Sequence, residues 1–443
     1  MTGLGSWQRR LQQVLERPPF SAWGSRELAS GSPAVFNMAA AAVRSLSRTA
    51  WGLALPAVLA VADYGKYSLL QTTAAVISQV GVLGTPQTLL RQPGRMLPIA
   101  GLFLHSTLIA CLVLPLIWLR AGVEDRTYAM LVAAMSVVLI AYGILAARAK
   151  AASAFAGVLR VETIGAVALL LALGGLFWLQ GWRGSHATGY ATVAVLEIGA
   201  TFVVVIGLLV ARGTRVRREE LTLSGTLPVL RSVYSVGFLV LLDLLIFRRL
   251  EMYFLEASPD GLQGVAVFGL GAQFANLCLL FPAAMVEAWM PGLATSFESG
   301  WPDFAARLRS NRRAYVRTFG LMVVAAIAGP LLLVPLCFTR YSPWTWYVAA
   351  FATIRVVCSY AGFYSSALYV TQRERALYVP GLLGVLVGIG SNAVLTLRWG
   401  VRGAVAAFAV TQAVVAIASL AAFRGATRTP RRERGEDRPL GRA

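Results

Sequence analysis

The sequence has 443 residues, of which 57 % are hydrophobic and 14 % are charged, and its formal net charge is +20 at pH 7. No polar stretch between Val35 and Phe423 is long enough to form a separate core, so composition excludes a string of soluble domains and disfavours membrane enzymes with a large loop. The positive charge lies in short arginine-rich segments beside apolar ones, which is the pattern of the positive-inside rule, and we expect no nucleic-acid partner.

The first 32 residues predict a cytoplasmic arm that lies at the membrane interface. Leu4, Trp7 and Leu11 recur at helical spacing opposite arginines, and two prolines at positions 18 and 19 end the pattern. A disordered arm is the alternative interpretation. Because this segment lacks the order of a cleavable signal, we expect the first spanning helix to direct insertion.

Long apolar segments recur along the rest of the chain and predict an all-α, polytopic membrane protein of about twelve transmembrane helices. With the N-terminus inside, the inside segments hold 27 of the 40 Lys and Arg residues, and the outside segments hold seven. This alternation predicts that both termini are cytoplasmic. The expected spans are 35–60, 66–88, 97–119, 128–147, 154–179, 188–211, 232–255, 263–290, 315–338, 345–370, 377–397 and 403–423.

The order of these segments predicts two six-helix lobes around a central cavity. We place the N-terminal lobe at 33–211, a basic cytoplasmic linker at 212–231, the C-terminal lobe at 232–423 and a disordered basic tail at 424–443. Similar turns predicted at 63–68 and 260–265, after the first span of each lobe, favour a weak internal repeat. Coincidence is the alternative explanation.

The span at 232–255 carries four charges, Asp243, Arg248, Arg249 and Glu251, in an otherwise apolar run. Each charge costs roughly 2.5–3.5 kcal/mol at the centre of a spanning helix. Arg248 can pair with Glu251 three residues later, whereas Arg249 points about 160° away from Glu251 and needs another anion. These charges indicate either a helix end whose arginines snorkel to headgroups or a polar cavity between helices.

Arg44 and Arg48 lie four residues apart in the first span, on one helix face, and repel each other unless an anion lies between them. Guanidinium groups match phosphate oxygens well, so a bound diphosphate is the predicted ligand of an arginine-lined cavity. Each further charge in the spans could instead belong to a structural pair. These charges are Arg160, Glu162, Glu197, Glu287 and Arg355.

The segment at 296–317 interleaves aromatic residues with arginines, and we expect an amphipathic helix that faces anionic lipid.

No set of catalytic residues is apparent, and we expect neither an enzyme nor a bound cofactor or metal. The two histidines, His105 and His186, are isolated from each other, and the four cysteines have no metal-ligand spacing. A glycine-rich phosphate loop followed by Lys is also missing from the sequence.

Two regions carry a resemblance to a known family. The segment VADYGKYSLL at 61–70, which leads through GVLG at 81–84 to LR at 90–91, resembles the first two spans of bacterial polysaccharide and O-antigen flippases. These flippases belong to the multidrug/oligosaccharidyl-lipid/polysaccharide exporter superfamily. The tripeptide RLE at 249–251 and the GVAVF segment at 264–268, with MP at 290–291, resemble the start of their second lobe.

The resemblance implies a transporter of the inner membrane that serves surface polysaccharide, O-antigen or lipopolysaccharide synthesis. It implies alternating access that carries an undecaprenyl-diphosphate-linked oligosaccharide to the outer leaflet, with other glycan-assembly membrane proteins as further partners. By position, Arg44 or Arg48 corresponds to the family's span-1 arginine and Arg249 to its span-7 arginine. The chain departs from the family in having Glu251 where Asp is usual. The further candidates for cavity charges are Asp243, Arg248, Glu251, Glu287 and Arg355.

Other functions stay open at this point. A lipid II exporter or a multidrug exporter of the same superfamily would share the fold, although a drug exporter should have an acidic cavity. A membrane-embedded glycan polymerase or ligase is a further alternative, but such an enzyme is expected to have a large outside loop, which the sequence lacks.

The charge distribution yields a first testable prediction. Reporter domains fused after Arg212 and after Arg313 should report the cytoplasm, and those fused after Gly122 and after Ser258 should report the outside. Two successive loops that report the same side would show that the span count is wrong.

Overall fold

The computed structural model describes residues 33–82, 100–108, 111, 126–151, 154–183, 189–210, 237–238, 242, 250–371 and 373–428. The described chain consists of helices and short connections, with no strand in these ranges. The chain divides into two compact units, Met1–Val240 (unit 1) and Leu241–Ala443 (unit 2). The predicted bounds of the lobes, linker and tail stay predictions.

Unit 1 is built on helices whose contacts use small residues. A buried cluster that includes Ala40, Ala146 and Ala149 joins four of them. A Cβ added to Gly165 would lie 2.2 Å from a methyl group of Val204. The helices that carry these two residues therefore approach each other as closely as glycine allows. Residues 100–108 are also helical. The helices are α1 (Pro33–Val58), α2 (Val61–Val82), α3 (Arg126–Ala151), α4 (Phe155–Arg183) and α5 (Tyr190–Val210).

Unit 2 packs around aromatic rings. Phe268 lies edge-on to Phe351 at 4.7 Å and to Phe408 at 5.6 Å between ring centroids. One π-helical turn, Asn392–Thr396, joins its last two helices. The helices are α6 (Leu250–Glu256), α7 (Gly261–Ser299), α8 (Trp301–Cys337), α9 (Thr345–Cys358), α10 (Tyr360–Val370), α11 (Tyr378–Ser391) and α12 (Leu397–Arg428), with 3₁₀ turns at Thr339–Trp344 and Glu374–Leu377.

Helices α7 and α8 are longer than a bilayer needs. They have 39 and 37 residues, which is about 58 and 55 Å of helix against a hydrocarbon core of about 30 Å. They meet at Gly300, whose φ of 134° few other residues adopt. The segment expected at 296–317 as an amphipathic helix is helical on both sides of Gly300, as the continuation of α7 and α8, and its contact with anionic lipid stays a prediction.

Seven segments of the described residues are long and apolar enough to cross a membrane. Six correspond to the fourth, fifth, sixth, eighth, ninth and tenth predicted spans, and the seventh, Arg375–Gly425, covers the last two. Helices α1 and α2 are not among the seven. The protein is an all-α polytopic membrane protein, as predicted, whereas the number twelve stays a prediction because the third and seventh spans fall largely outside the described ranges.

The two turns predicted at 63–68 and 260–265 lie a few residues earlier, at 59–60 and 257–260, and most of both predicted segments is helical. Helix α2 already begins at Val61, where Asp63 places a negative charge in the first turn and so complements the helix dipole. In unit 2 the chain turns before Gly261, whose φ of 51° suits glycine, and continues as α7.

A contact between Asp260 and the start of α12 holds the connection between α6 and α7 in place. The Asp260 carboxylate accepts a hydrogen bond of 2.7 Å from the backbone N–H of Val401. The preceding Gly400 has φ 55° and ψ −133°, and a Cβ there would lie 2.0 Å from Oδ2 of Asp260. Only glycine allows both this backbone conformation and this carboxylate position.

The Gly400→Ala substitution should therefore destabilise the protein by about 2 kcal/mol, which lowers the Tm in detergent by about 2 °C for a chain of this length. Gly390→Ala is the matched control, because nothing lies within 4 Å of a Cβ added to that helical residue. The control should leave the Tm unchanged or raise it slightly. Equal Tm values for the two variants would contradict the role assigned to Gly400.

Candidate functional site

A small polar pocket lies between α1, α3, α4 and α5 of unit 1. Its volume is about 30 Å³, which is room for one or two water molecules. The pocket brings Arg44 and Arg48 of the first predicted span together with the carboxylate of Glu162 from the fifth predicted span. The lining residues are Arg44, Ser47, Arg48, Tyr142, Glu162, Gly165, Ala166, Leu169, Ala200, Thr201 and Val204.

Arg44, Tyr142 and Glu162 form a closed group inside this pocket. Arg44 Nη1 lies 3.5 Å from Glu162 Oε1 and donates a hydrogen bond to the Tyr142 hydroxyl. The same hydroxyl donates to Glu162 Oε1 at 2.5 Å. Glu162 is 5 % exposed, whereas the Arg44 side chain is 31 % exposed. The buried carboxylate thus has both an ionic partner and a hydrogen-bond donor, as a charge in hydrocarbon requires.

The local sequence explains how the arginines reach the pocket. Ser47 and Arg48 follow Arg44 by three and four residues, which is about one helical turn. The three side chains therefore share the face of α1 that meets α4. Small residues opposite them, Gly165 and Ala166, leave space for long side chains. Sequence reasoning had kept open that Glu162 belongs to a structural pair, and the structure pairs it with Arg44.

Arg48 differs from Arg44 in having no ionic partner in the described part of the chain. Its guanidinium carbon lies 5.9 Å from the centroid of the Tyr142 ring, and that of Arg44 lies 5.8 Å from the same centroid. Two guanidinium groups and one carboxylate leave the described pocket with a net positive charge. Such a pocket favours anions and disfavours cations.

A second polar network in unit 1 surrounds Glu197 of α5. Tyr67 of α2 donates to Glu197 Oε2 at 2.5 Å, and Gln71 donates to Oε1 at 2.8 Å and to Oε2 at 2.9 Å. Trp51 of α1 donates to the Tyr67 hydroxyl at 2.9 Å. Glu197 is 3 % exposed, so this network supplies the donors that water would otherwise provide.

A third polar cluster lies in unit 2 around Glu251 of α6, which is fully buried. Among the described residues, none donates a hydrogen bond of good geometry to its carboxyl oxygens, although the Asn392 amide lies close enough to stabilise the carboxylate. Arg355 and Asn392 are the neighbours that act on it electrostatically. Asn392 is engaged elsewhere: its amide donates to the Gly388 carbonyl at 2.8 Å, and its carbonyl oxygen accepts from Thr396 at 2.7 Å.

Several predicted site residues lie where the structure makes no statement about them. Asp243, Arg248 and Arg249 fall outside the described residues, so their assignment to a cavity stays a prediction. Glu287 belongs to α7, but its side chain is not among those described. Arg160, on α4, is exposed.

Other members of these clusters were missed by sequence reasoning. Tyr142 bridges Arg44 and Glu162, yet nothing near it in sequence marks it, because its partners come from two other helices. Tyr67 and Gln71 carried a usable signal, since they lie four residues apart on one face of α2. Asn392 and Thr396 show the same spacing in unit 2.

Comparisons with known proteins agree on the fold. No protein-family model and no curated protein matches the sequence. An inward-facing multidrug resistance MATE family transporter of the MOP superfamily is similar with a TM-score of 0.55, at 16 % identity, over 89 % of this chain and 94 % of that one. An outward-facing one is similar with a TM-score of 0.55, at 14 % identity, over 94 % and 97 %.

A third similar structure is a MOP superfamily transporter from Pyrococcus furiosus, described as having a binding pocket of reverse polarity that suggests a different function. Its TM-score is 0.52 at 14 % identity, over 89 % of this chain and 95 % of that one. The chain thus has a MATE-like transporter fold, and identities this low extend the likeness no further than the fold.

The closed group predicts energetic coupling between Arg44 and Glu162. In a double-mutant cycle of Arg44→Gln and Glu162→Gln, the unfolding free energies in detergent should show a coupling of about 1–3 kcal/mol. Arg48→Gln combined with Glu162→Gln is the matched control and should couple at most half as strongly. Equal coupling in the two cycles would contradict the specific pairing of Arg44.

Proposed function

We propose that the protein is a flippase that moves an undecaprenyl-diphosphate-linked oligosaccharide from the cytoplasmic to the outer leaflet of the inner membrane by alternating access. Its product would feed synthesis of a surface polysaccharide such as an O-antigen. No step of this function requires the chain to make or break a covalent bond, so we propose a transporter that is not an enzyme.

The fold supports the transport part of this proposal. Similar structures have been solved both inward-facing and outward-facing. A fold that adopts both states is suited to expose one binding site to each side of the membrane in turn.

The observation that carries the choice of substrate is the unequal state of the two arginines on α1. Glu162 neutralises Arg44, whereas Arg48, one turn further on, forms no ion pair with a described residue and lies 5.9 Å from the centroid of the Tyr142 ring. The pocket therefore keeps one uncompensated guanidinium in low-dielectric surroundings, where its attraction for an anion is strong. A diphosphate offers several oxygens that accept charge-assisted bonds from such a group.

This geometry separates the roles of the candidate residues. The pocket has room for only one or two water molecules in this conformation, so it would have to open to admit a diphosphate. We assign Arg48 as the first contact of the diphosphate in that open state, with the exposed part of Arg44 as a second donor. Glu162 and Tyr142 act as positioning residues that hold Arg44 in place. Arg249 keeps its predicted role as the span-7 contribution to diphosphate binding.

A multidrug exporter is the second candidate, because similar structures are described as multidrug resistance transporters. Cationic drugs need acidic lining, and the net positive charge of the described pocket favours an anionic substrate. The Pyrococcus furiosus transporter, described with a pocket of reverse polarity, indicates that this fold tolerates a change in the charge of its pocket. A lipid II exporter would share the diphosphate, and the identity of the sugar separates it from our proposal.

Export should fail when the uncompensated arginine is removed. In cells that keep the glycan-assembly enzymes, Arg48→Ala should lower surface polysaccharide at least about tenfold, the loss expected for one charged hydrogen bond. Lipid-linked repeat units should accumulate at the same time. Arg48→Lys should restore export only in part, because an ammonium group lacks the guanidinium fork.

Arg160→Ala is the matched control, because it removes an exposed arginine of α4 that does not line the pocket. Membrane levels of all variants are compared by immunoblot. Normal surface polysaccharide in Arg48→Ala cells, at normal protein level, would contradict the role of Arg48. Normal polysaccharide after deletion of the whole chain, with no second exporter present, would refute the flippase itself.

A further inference from the structure

Four arginines lie on the exposed surface of α8, in the half of the helix that precedes its spanning part. From the last of them to Cys337 the helix has about 30 Å of length, which is the thickness of the hydrocarbon core. They therefore lie at and beyond one boundary of the membrane. We call them the arginine patch: Arg309, Arg312, Arg313 and Arg317.

The patch shares a helix face with residues that contact lipid. From Arg309 and Arg313, further steps of three or four residues lead to Val316, Val324 and Ile327, which are 45 %, 60 % and 43 % exposed. Large apolar side chains exposed on a spanning helix face hydrocarbon. Because α8 is continuous from Trp301 to Cys337, the arginines above this stripe lie where lipid headgroups must be.

The patch has no internal neutralisation. In the described part of the chain, none of its members lies within ion-pair distance of a carboxylate. The ion pair found there is that of Arg44 and Glu162 in unit 1. Arg307 is different, because its guanidinium group packs against Gly292 of α7 and so belongs to the helix contact. The patch therefore presents four positive charges outward within about two helical turns.

Aromatic residues mark the same level of the protein. Tyr315 stacks on Phe363 with ring centroids 5.0 Å apart, and the hydroxyls of Tyr360 and Tyr364 lie 3.2 Å apart. Tyrosine and tryptophan are enriched where hydrocarbon meets headgroups.

We infer that the arginine patch is a binding site for the headgroups of anionic phospholipids such as phosphatidylglycerol. The continuous face of α8 holds the acyl chains along the apolar stripe and the phosphate against the guanidinium groups. This combination favours a lipid over a free phosphate, because only a lipid uses both parts of the face. The site is separate from the pocket of unit 1, and the inference does not depend on the proposed transport function.

The site can be measured by native mass spectrometry of the full-length protein in detergent, titrated with phosphatidylglycerol. Replacement of all four patch arginines by Gln should weaken the tightest phosphatidylglycerol binding by about fivefold for each arginine removed. Phosphatidylcholine binding should stay unchanged. The Tm gained on adding phosphatidylglycerol to the wild-type protein should shrink in parallel.

The matched control replaces three arginines at the opposite end of unit 2, Arg340, Arg398 and Arg402, by Gln, and should keep wild-type phosphatidylglycerol affinity. If the fourfold variant is poorly folded, the two double variants R309Q/R313Q and R312Q/R317Q replace it. Each removes two arginines, so each should lose phosphatidylglycerol affinity by two fivefold factors. Wild-type affinity in the patch variants would overturn the inference. Displacement of phosphatidylglycerol by an equal concentration of inorganic phosphate would also overturn it, because the patch would then be a site for free anions.

Discussion

A carboxylate within a membrane span must obtain its hydrogen bonds from the protein, and in unit 1 this requirement joins the helices. Glu162 of α4 draws Arg44 of α1 and Tyr142 of α3 to one point. Glu197 of α5 does the same with Tyr67 and Gln71 of α2. Apolar contacts alone specify the packing of spanning helices weakly, because lipid offers equivalent contacts. The two carboxylates therefore fix which helices are neighbours and at what rotation.

Unit 2 meets the same constraint differently. The carboxyl oxygens of Glu251 accept no hydrogen bond of good geometry from the described residues, although Asn392 and Arg355 lie close. A buried polar group without such bonds costs free energy that packing alone does not recover. The π-helical turn at Asn392–Thr396 lies beside it, and such turns are frequent at functional sites. Within the described residues, the carboxylates of unit 1 thus have their hydrogen-bond donors, whereas Glu251 of unit 2 does not.

Much of the fold was predictable, because apolar length and charge alternation determine where a chain crosses a bilayer. The arrangement of the site was less so. That Arg44 and Arg48 need an anion follows from their spacing, but the choice of Glu162 for Arg44 depends on how α1 meets α4. Tyr142 carries no local signal at all. The turn predicted at 63–68 lies earlier in the structure, because Asp63 complements the dipole of a helix that begins at Val61.

The pairing of Arg44 also constrains how the protein is made. Ribosomes deliver α1 to the membrane long before its partners exist, since Tyr142 follows 98 residues later and Glu162 later still. Until then the nascent helix must keep its two arginines near headgroups or water, in a shallow or tilted position. Helix α1 can settle at its final depth only after α3 and α4 have entered the bilayer. Packing of unit 1 therefore has to continue after its first helix has been inserted, because the partners that bury Arg44 are made later.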